Sequence, residues 1–201
     1  MGVGRLAPAR VAVSVAVVGA LLSACGAATE TTSTAIPASL IREARPIGRG
    51  PRFEPPATGP VIGPCKTTLG PRVGVHVEVF AANRVVVIPA GIGTRPPRAM
   101  SEGRISRARC YGALVTIDPT GVVRVGAANR LTLAGLFHSW GQPLSSTRLA
   151  SFRARTVAVF VDGRRWRGPP GAVALKPHAE IVLEVGPHVP PHSSYTFPPG
   201  T

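Results

Sequence analysis

The stretch VGVHVEVF, residues 73–80, alternates without a break: Val73, Val75, Val77 and Val79 fall on one side, Gly74, His76, Glu78 and Phe80 on the other. A period of two is that of a β-strand with one face turned to a core. The next residues, AAN, turn the chain into RVVVI, which predicts a first hairpin. A second hairpin is signalled by ALVTI and VVRV flanking Asp118-Pro119-Thr120-Gly121, where Pro suits position i+1 of a type I turn and Gly121 can take φ > 0. TVAVFV followed by Asp162-Gly163 gives a third, and EIVLEV at 180–185 a last strand.

Between the second and third hairpins lies one amphipathic helix. Leu133, Leu136, Phe137 and Trp140 follow at i, i+3, i+4 and i+7, with Thr132 placed to cap the start and Gly141 to end it. Such a stripe needs a sheet to pack on. The expected fold is therefore α+β, mainly β: hairpins forming a small sheet with one helix on it, a β-sandwich carrying one helix being the alternative. VEVFAANR (77–84) and VAVFVDGR (157–164) match at Val, Val, Phe and Arg, either from an old duplication or because such hairpins arise easily.

Outward from this unit, the N-terminus reads as an address. Arg5 and Arg10 precede an apolar run from Val11 to Leu22, shorter than the roughly 20 residues a lasting membrane helix needs. A cleaved export signal fits better. Leu22-Ser23-Ala24 before Cys25 resembles a bacterial lipobox, the alternative being an ordinary secretory signal. On the lipobox reading residues 1–24 are removed and the thiol of Cys25 takes a diacylglyceryl group. Each buried methylene adds about 0.8 kcal/mol, so two or three acyl chains such as palmitate hold the protein on the extracytoplasmic face of the cytoplasmic membrane. Residues 25–63, rich in Thr, Ser, Ala, Pro and Gly, read as the lipidated cysteine and a flexible tether, leaving 64–201 as a single β-rich domain.

Cys65 and Cys110 are then in a compartment that permits oxidation. A bridge between them closes a loop worth roughly 4 kcal/mol on the chain-entropy model; two buried free thiols are the alternative. Neither has a CxxC neighbour.

Loss of Arg5 and Arg10 leaves 21 basic against 9 acidic residues, a net charge of +12. Only Lys66 and Lys176 of the basic residues are lysines, a skew that also follows from GC-rich coding. Two basic patches stand out: Arg104, Arg107 and Arg109, and Arg164, Arg165 and Arg167 around Trp166. They are candidate polyanion-binding residues. An exported protein meets anionic lipid headgroups and acidic wall polymers before any nucleic acid, so no nucleic acid is expected as partner.

Catalytic signals are weak: there is no serine elbow, HExxH or glycine-rich phosphate loop, and no catalytic residue or cofactor is assigned. Asp118 and Asp162 read as turn starters bonded to backbone amides. Glu180 and Glu184 share one strand face, where exposed carboxylates are usually solvated. The five histidines are scattered, and only His76, on a strand, is a weak metal candidate. The expected function is a membrane-anchored, non-enzymatic binding or scaffolding module for an anionic envelope component. The alternative is a metal- or small-ligand-binding domain using His76 and the C-terminal histidines.

The segments HVEVFAANRVVVIPAGIG, DPTGVVRV, LTLAGLFHSWGQPLS and HAEIVLEVG, with YTFPPG after them, resemble an uncharacterised family of secreted or membrane-attached actinobacterial proteins over about residues 63–200. The resemblance implies histidine-rich strands and, through them, a metal site. His76 matches the last histidine of the first strand, whereas Arg72, Gly74, Val115, Ile117 and Arg124 stand where the pattern has other histidines. This departure implies the fold without most of the ligands.

Overall fold

The computed structural model divides the chain into Met1–Ile36 and Pro37–Thr201. Besides Met1 it describes residues 44–126 and 130–201, all of the latter in the second unit. The described part is mainly β with one helix. Twelve strands follow in order: β1 (Val73–Ala81), β2 (Arg84–Val85), β3 (Thr94–Ser101), β4 (Arg104–Tyr111), β5 (Leu114–Thr116), β6 (Val122–Val125), β7 (Leu144–Ser145), β8 (Arg148–Leu149), β9 (Phe152–Arg153), β10 (Ala158–Val161), β11 (Arg164–Arg165) and β12 (Glu180–Val185). The helix α1, Leu133–Trp140, lies between β6 and β7.

The main sheet runs β11-β10-β12-β1-β6-β5, with β2 paired to β1. β1 and β12 are parallel, with His76 opposite Glu180 and Phe80 opposite Glu184; the other pairings are antiparallel. The three hairpins expected from sequence are present. Ala82-Asn83 and Asp162-Gly163 both have positive φ at each central residue, the condition of a type I′ turn whose twist suits the flanking strands. The two halves of the internal echo are thus equivalent hairpins, and β1 and β10 flank β12 on either side.

A fourth hairpin, β3–β4, was not expected. It forms its own two-stranded sheet, turning through Glu102-Gly103, again with both φ positive. Pro96 and Pro97 fall where the register shifts between Arg95 and Arg98, so neither has to donate to the ladder. β7, β8 and β9 form a small meander. Among the described residues no second large sheet exists, so the sandwich alternative does not apply.

Odd-numbered β1 residues and Ile181, Leu183 and Val185 of β12 face the main core, where Leu133, Leu136, Phe137 and Trp140 of α1 are buried against them. Full burial of each such Leu or Phe contributes about 1.5–3 kcal/mol. Gly141 ends the helix in the left-handed region, as expected. Thr132 does not cap it with its side chain; it pairs instead with Ala174, and the Leu133 amide donates to the Val173 carbonyl.

The described part of the expected tether, 44–63, is bound to this core, which moves the domain boundary upstream of residue 64. The Gly48 amide donates to Val85, Val87 to Phe53, Thr58 to the Trp140 carbonyl, and Ala113 to Ile62. The Trp140 indole N–H donates to the Pro55 carbonyl at 2.9 Å, Ser139 to Pro60 at 2.6 Å, and Phe53 packs on Phe152 with ring centroids 5.1 Å apart. Gly59 lies so close to the helix end that a Cβ would meet the His138 carbonyl at 2.1 Å. The segment lacks a sequence period because single anchors and carbonyls hold it, with no ladder.

Candidate functional site

The structure keeps the two basic patches apart. Arg104, Arg107 and Arg109 are exposed on β4, whose hairpin is attached beside β5 through the Ile105 amide and Ile117 carbonyl. Arg164 and Arg165 form β11 at the opposite end of the main sheet, with Trp166 and Arg167 following. Only Arg104 has an acidic neighbour, Asp118 at 3.6 Å, among the ion pairs of the described residues. The disulfide between Cys65 and Cys110 ties β4 to the end of the N-terminal segment.

Trp166, Arg165 and Arg167 line an open groove of about 1070 Å³, to which Ser145, Ser146 and Thr156 contribute hydroxyls. The indole is 37% exposed yet fixed, its N–H donating to the Pro169 carbonyl at 3.1 Å. Gly168 permits this fold-back, since a Cβ there would approach the ring at 3.0 Å. The Arg165 guanidinium lies 5.3 Å from the Phe160 ring centroid, an arrangement that orders the cation without neutralising it. A fixed aromatic face between two cations can stack on a planar or sugar ring while charge attracts an anion.

A second constellation lies on the even-numbered face of β1 and β12. Glu180 and Glu184 are 1% and 3% exposed, which corrects the expectation of solvated carboxylates. The cause is the C-terminal tail, 186–201, which runs along this face. His188 Nδ1 is 2.9 Å from Glu184 Oε2, Val189 joins Phe80, Phe160 and Val182 in an apolar cluster, and His192 Nδ1 is 2.8 Å from Glu78 Oε2. Tyr195 stacks on His76 with centroids 3.7 Å apart and planes at 12°. Phe197 covers Gly74, and His178 donates from Nε2 to the Thr201 carbonyl at 2.9 Å.

His76 stands at the centre. Its Nε2 is 3.0 Å from the Thr120 carbonyl, which can only accept, so Nε2 carries a proton. Its Nδ1 is 2.7 Å from Glu180 Oε2, a contact that needs one more proton on either partner. Burial pushes the Glu180 carboxyl up, and the hydrogen bond with His76 draws it partly back. Glu180 Oε1 is buried with no hydrogen-bond partner among the described residues. Burial, followed by the carboxylates of Asp118, Glu180 and Glu78, raises the Tyr195 phenol. One ligand atom each from His76, Glu78 and Glu180 lie within 4.8 Å of one another.

The aspartates also depart from expectation. Asp162 Oδ1 accepts the Glu180 amide of β12 at 2.9 Å, and Asp118 accepts from the Thr120 hydroxyl. Arg72, Gly74, Val115 and Ile117 have structural partners of their own. Arg72 donates to the carbonyls of Leu69, Gly112 and Ala113, and burial, then Arg124, lowers its pKa. Gly74 leaves room for Phe197, while Val115 and Ile117 pack with Ile105, Ala108 and Tyr111 of β4.

No family model, no curated protein and no solved structure matches this chain. Cys25 and the expected signal segment 1–24, Met1 apart, lie outside the described residues. No helix among the described residues is long and apolar enough to cross a membrane.

Proposed function

We propose that this protein is a lipid-anchored extracytoplasmic binding module, held at the cytoplasmic membrane through acylated Cys25, that engages an anionic component of the cell envelope without catalysing a reaction. The observation that carries this reading is the groove in which a fixed, exposed Trp166 stands between Arg165 and Arg167, cations with no acidic partner among the described residues. Stacking supplies contact area and the guanidinium pair supplies charge complementarity. The β4 arginines present a separate basic surface that suits headgroups of the membrane.

Trp166 is also the reporter. The other tryptophan, Trp140, is fully buried, so iodide or acrylamide quenching of the native protein reads Trp166. Titration with an oligogalacturonate should shield Trp166 and weaken with rising salt, and Trp166→Ala should remove the effect. Equal response to a neutral cello-oligosaccharide, or none to the acidic one, overturns the reading. A second reading, a cation- or small-ligand-binding domain, is favoured by the imidazoles and carboxylates gathered around His76.

A further inference from the structure

We propose that His76, Glu78, Glu180 and His192 form a binding site for one divalent first-row transition-metal cation of the Zn²⁺ class, taken up in exchange for one proton. The site deepens the second of the two functional readings and is independent of the Trp166 groove.

Three donors already converge, one each from His76, Glu78 and Glu180, all within 4.8 Å. Zinc holds N and O ligands at about 2.0–2.2 Å, so two ligands of one ion lie roughly 3–4.4 Å apart. The observed spread is close to this range. His192 Nδ1, 2.8 Å from Glu78 Oε2, supplies the fourth donor.

The outer contacts suit the same purpose. Metal-bound histidines characteristically donate their other ring N–H to a carbonyl or carboxylate, which fixes the tautomer. His76 does so from Nε2 to Thr120, leaving Nδ1 as the inward lone pair. A second observation is the Glu180 carboxyl itself: 1% exposed, with Oε1 lacking any partner among the described residues. An unpaired buried carboxylate oxygen is costly, and a cation satisfies it.

The charge balance closes. Without metal, the His76–Glu180 contact needs one proton beyond the Nε2–H of His76, which makes that pair neutral, whereas the Nδ1–H of a neutral His192 satisfies the contact with an ionised Glu78 and leaves that pair with one negative charge. With metal, both imidazoles are neutral and both carboxylates ionised, so a divalent ion leaves the group neutral and releases one proton, from the His76–Glu180 pair. Other groups facing the site are Tyr195 on the His76 ring, Asp162 on the Glu180 amide and Asp118 near Tyr195. Two imidazoles and two carboxylates make a mixed N/O set, which suits Zn²⁺ or Co²⁺ better than Ca²⁺ or Mg²⁺, ions that favour oxygen ligands and higher coordination.

The test uses residues 25–201 carrying Cys25→Ser, which removes the only cysteine outside the disulfide. Native mass spectrometry should show one Zn²⁺ per chain, and calorimetry in buffers of different ionisation enthalpy should show about one proton released per ion at neutral pH. Co²⁺ should give the visible absorption of a four-coordinate ion. Glu78→Gln, whose side chain is 20% exposed, should weaken Zn²⁺ binding at least about tenfold, as should Glu180→Gln. His188→Ala, in the neighbouring but separate pair, should leave it unchanged. Absence of saturable binding up to about 1 mM Zn²⁺ overturns the proposal, as does binding that both glutamine variants retain in full.

Discussion

Trp140→Phe separates a bound N-terminal segment from a tether. Trp140 is fully buried, and its indole N–H donates to the carbonyl of buried Pro55 at 2.9 Å. Phenylalanine keeps the apolar stripe of α1 but removes the donor, and orphaning the carbonyl costs about 1–3 kcal/mol. The smaller ring leaves a void of about 40 Å³, worth about 1 kcal/mol at the usual cost per unit volume. The expected total is about 2–4 kcal/mol, or a melting-point drop of roughly 4–16 °C for a domain of this size.

The partition between the two contributions is testable in a shortened chain, 64–201, which lacks Pro55. There the same substitution should cost only the void, about 1 kcal/mol, leaving a coupling of about 1–3 kcal/mol between Trp140 and the segment. Urea unfolding followed by far-UV circular dichroism measures all four chains without relying on the altered fluorophore. The shortened chain should itself be less stable, having lost the Phe53–Phe152 contact and the bonds from Val87 to Phe53 and from Ala113 to Ile62. Equal stability of 44–201 and 64–201, with coupling below about 0.5 kcal/mol, would refute the bound segment and restore the tether.

Replacing both Cys65 and Cys110 by Ser should cost roughly 4 kcal/mol, the loop-closure entropy of a separation of 45 residues, read as a lowered urea midpoint; a loss below about 1 kcal/mol contradicts it. Stability should also depend on pH through Glu180. Burial raises its folded-state pKa, so the folded protein holds this proton more tightly than the unfolded chain. That contribution is fully present below the ordinary carboxyl pKa of 4.5 and is lost as pH rises through the raised value. Wild type measured with chelator should therefore lose stability relative to Glu180→Gln as pH rises from 4 towards 8, and a flat or rising difference contradicts the assignment.

The alternating and helical periods made the main sheet and α1 legible, because Val75, Val77, Val79 and the Leu133–Trp140 stripe answer to one core. Turn chemistry did the same for Asp162-Gly163 and Gly121. The β3–β4 hairpin was hidden because Pro96-Pro97 argues against a strand and its many exposed arginines read as a patch. Of the candidate sites, the Trp166 cluster was legible as composition. Its groove was not, since Ser145 and Thr156 come from distant sequence. The set around His76 failed for a different reason. The parallel β1–β12 pairing that sets His76 opposite Glu180 joins residues 104 apart, and the tail that buries them carries no period at all.

The two faces of the main sheet are closed by different chemistry, and this has a consequence for how the molecule opens. On the core face, α1 and the N-terminal segment are held by apolar burial and backbone bonds, neither of which titrates. On the other face the tail lies without a ladder. Its prolines at 187, 190, 191, 198 and 199 have no N–H to satisfy, so it rests on the sheet largely through side chains, with the Val189 amide donating to Glu184 Oε1. Those side chains include His188 on Glu184 and His192 on Glu78, with Tyr195 and Phe197 as cover over His76 and Gly74. The histidine–carboxylate holds on this face respond to acidity or to a cation, whereas the Val189 amide that donates to Glu184 Oε1 does not itself titrate. Changes in acidity or metal supply should loosen or tighten the tail while the core face is unaffected, and local opening free energy should be lowest at 186–201.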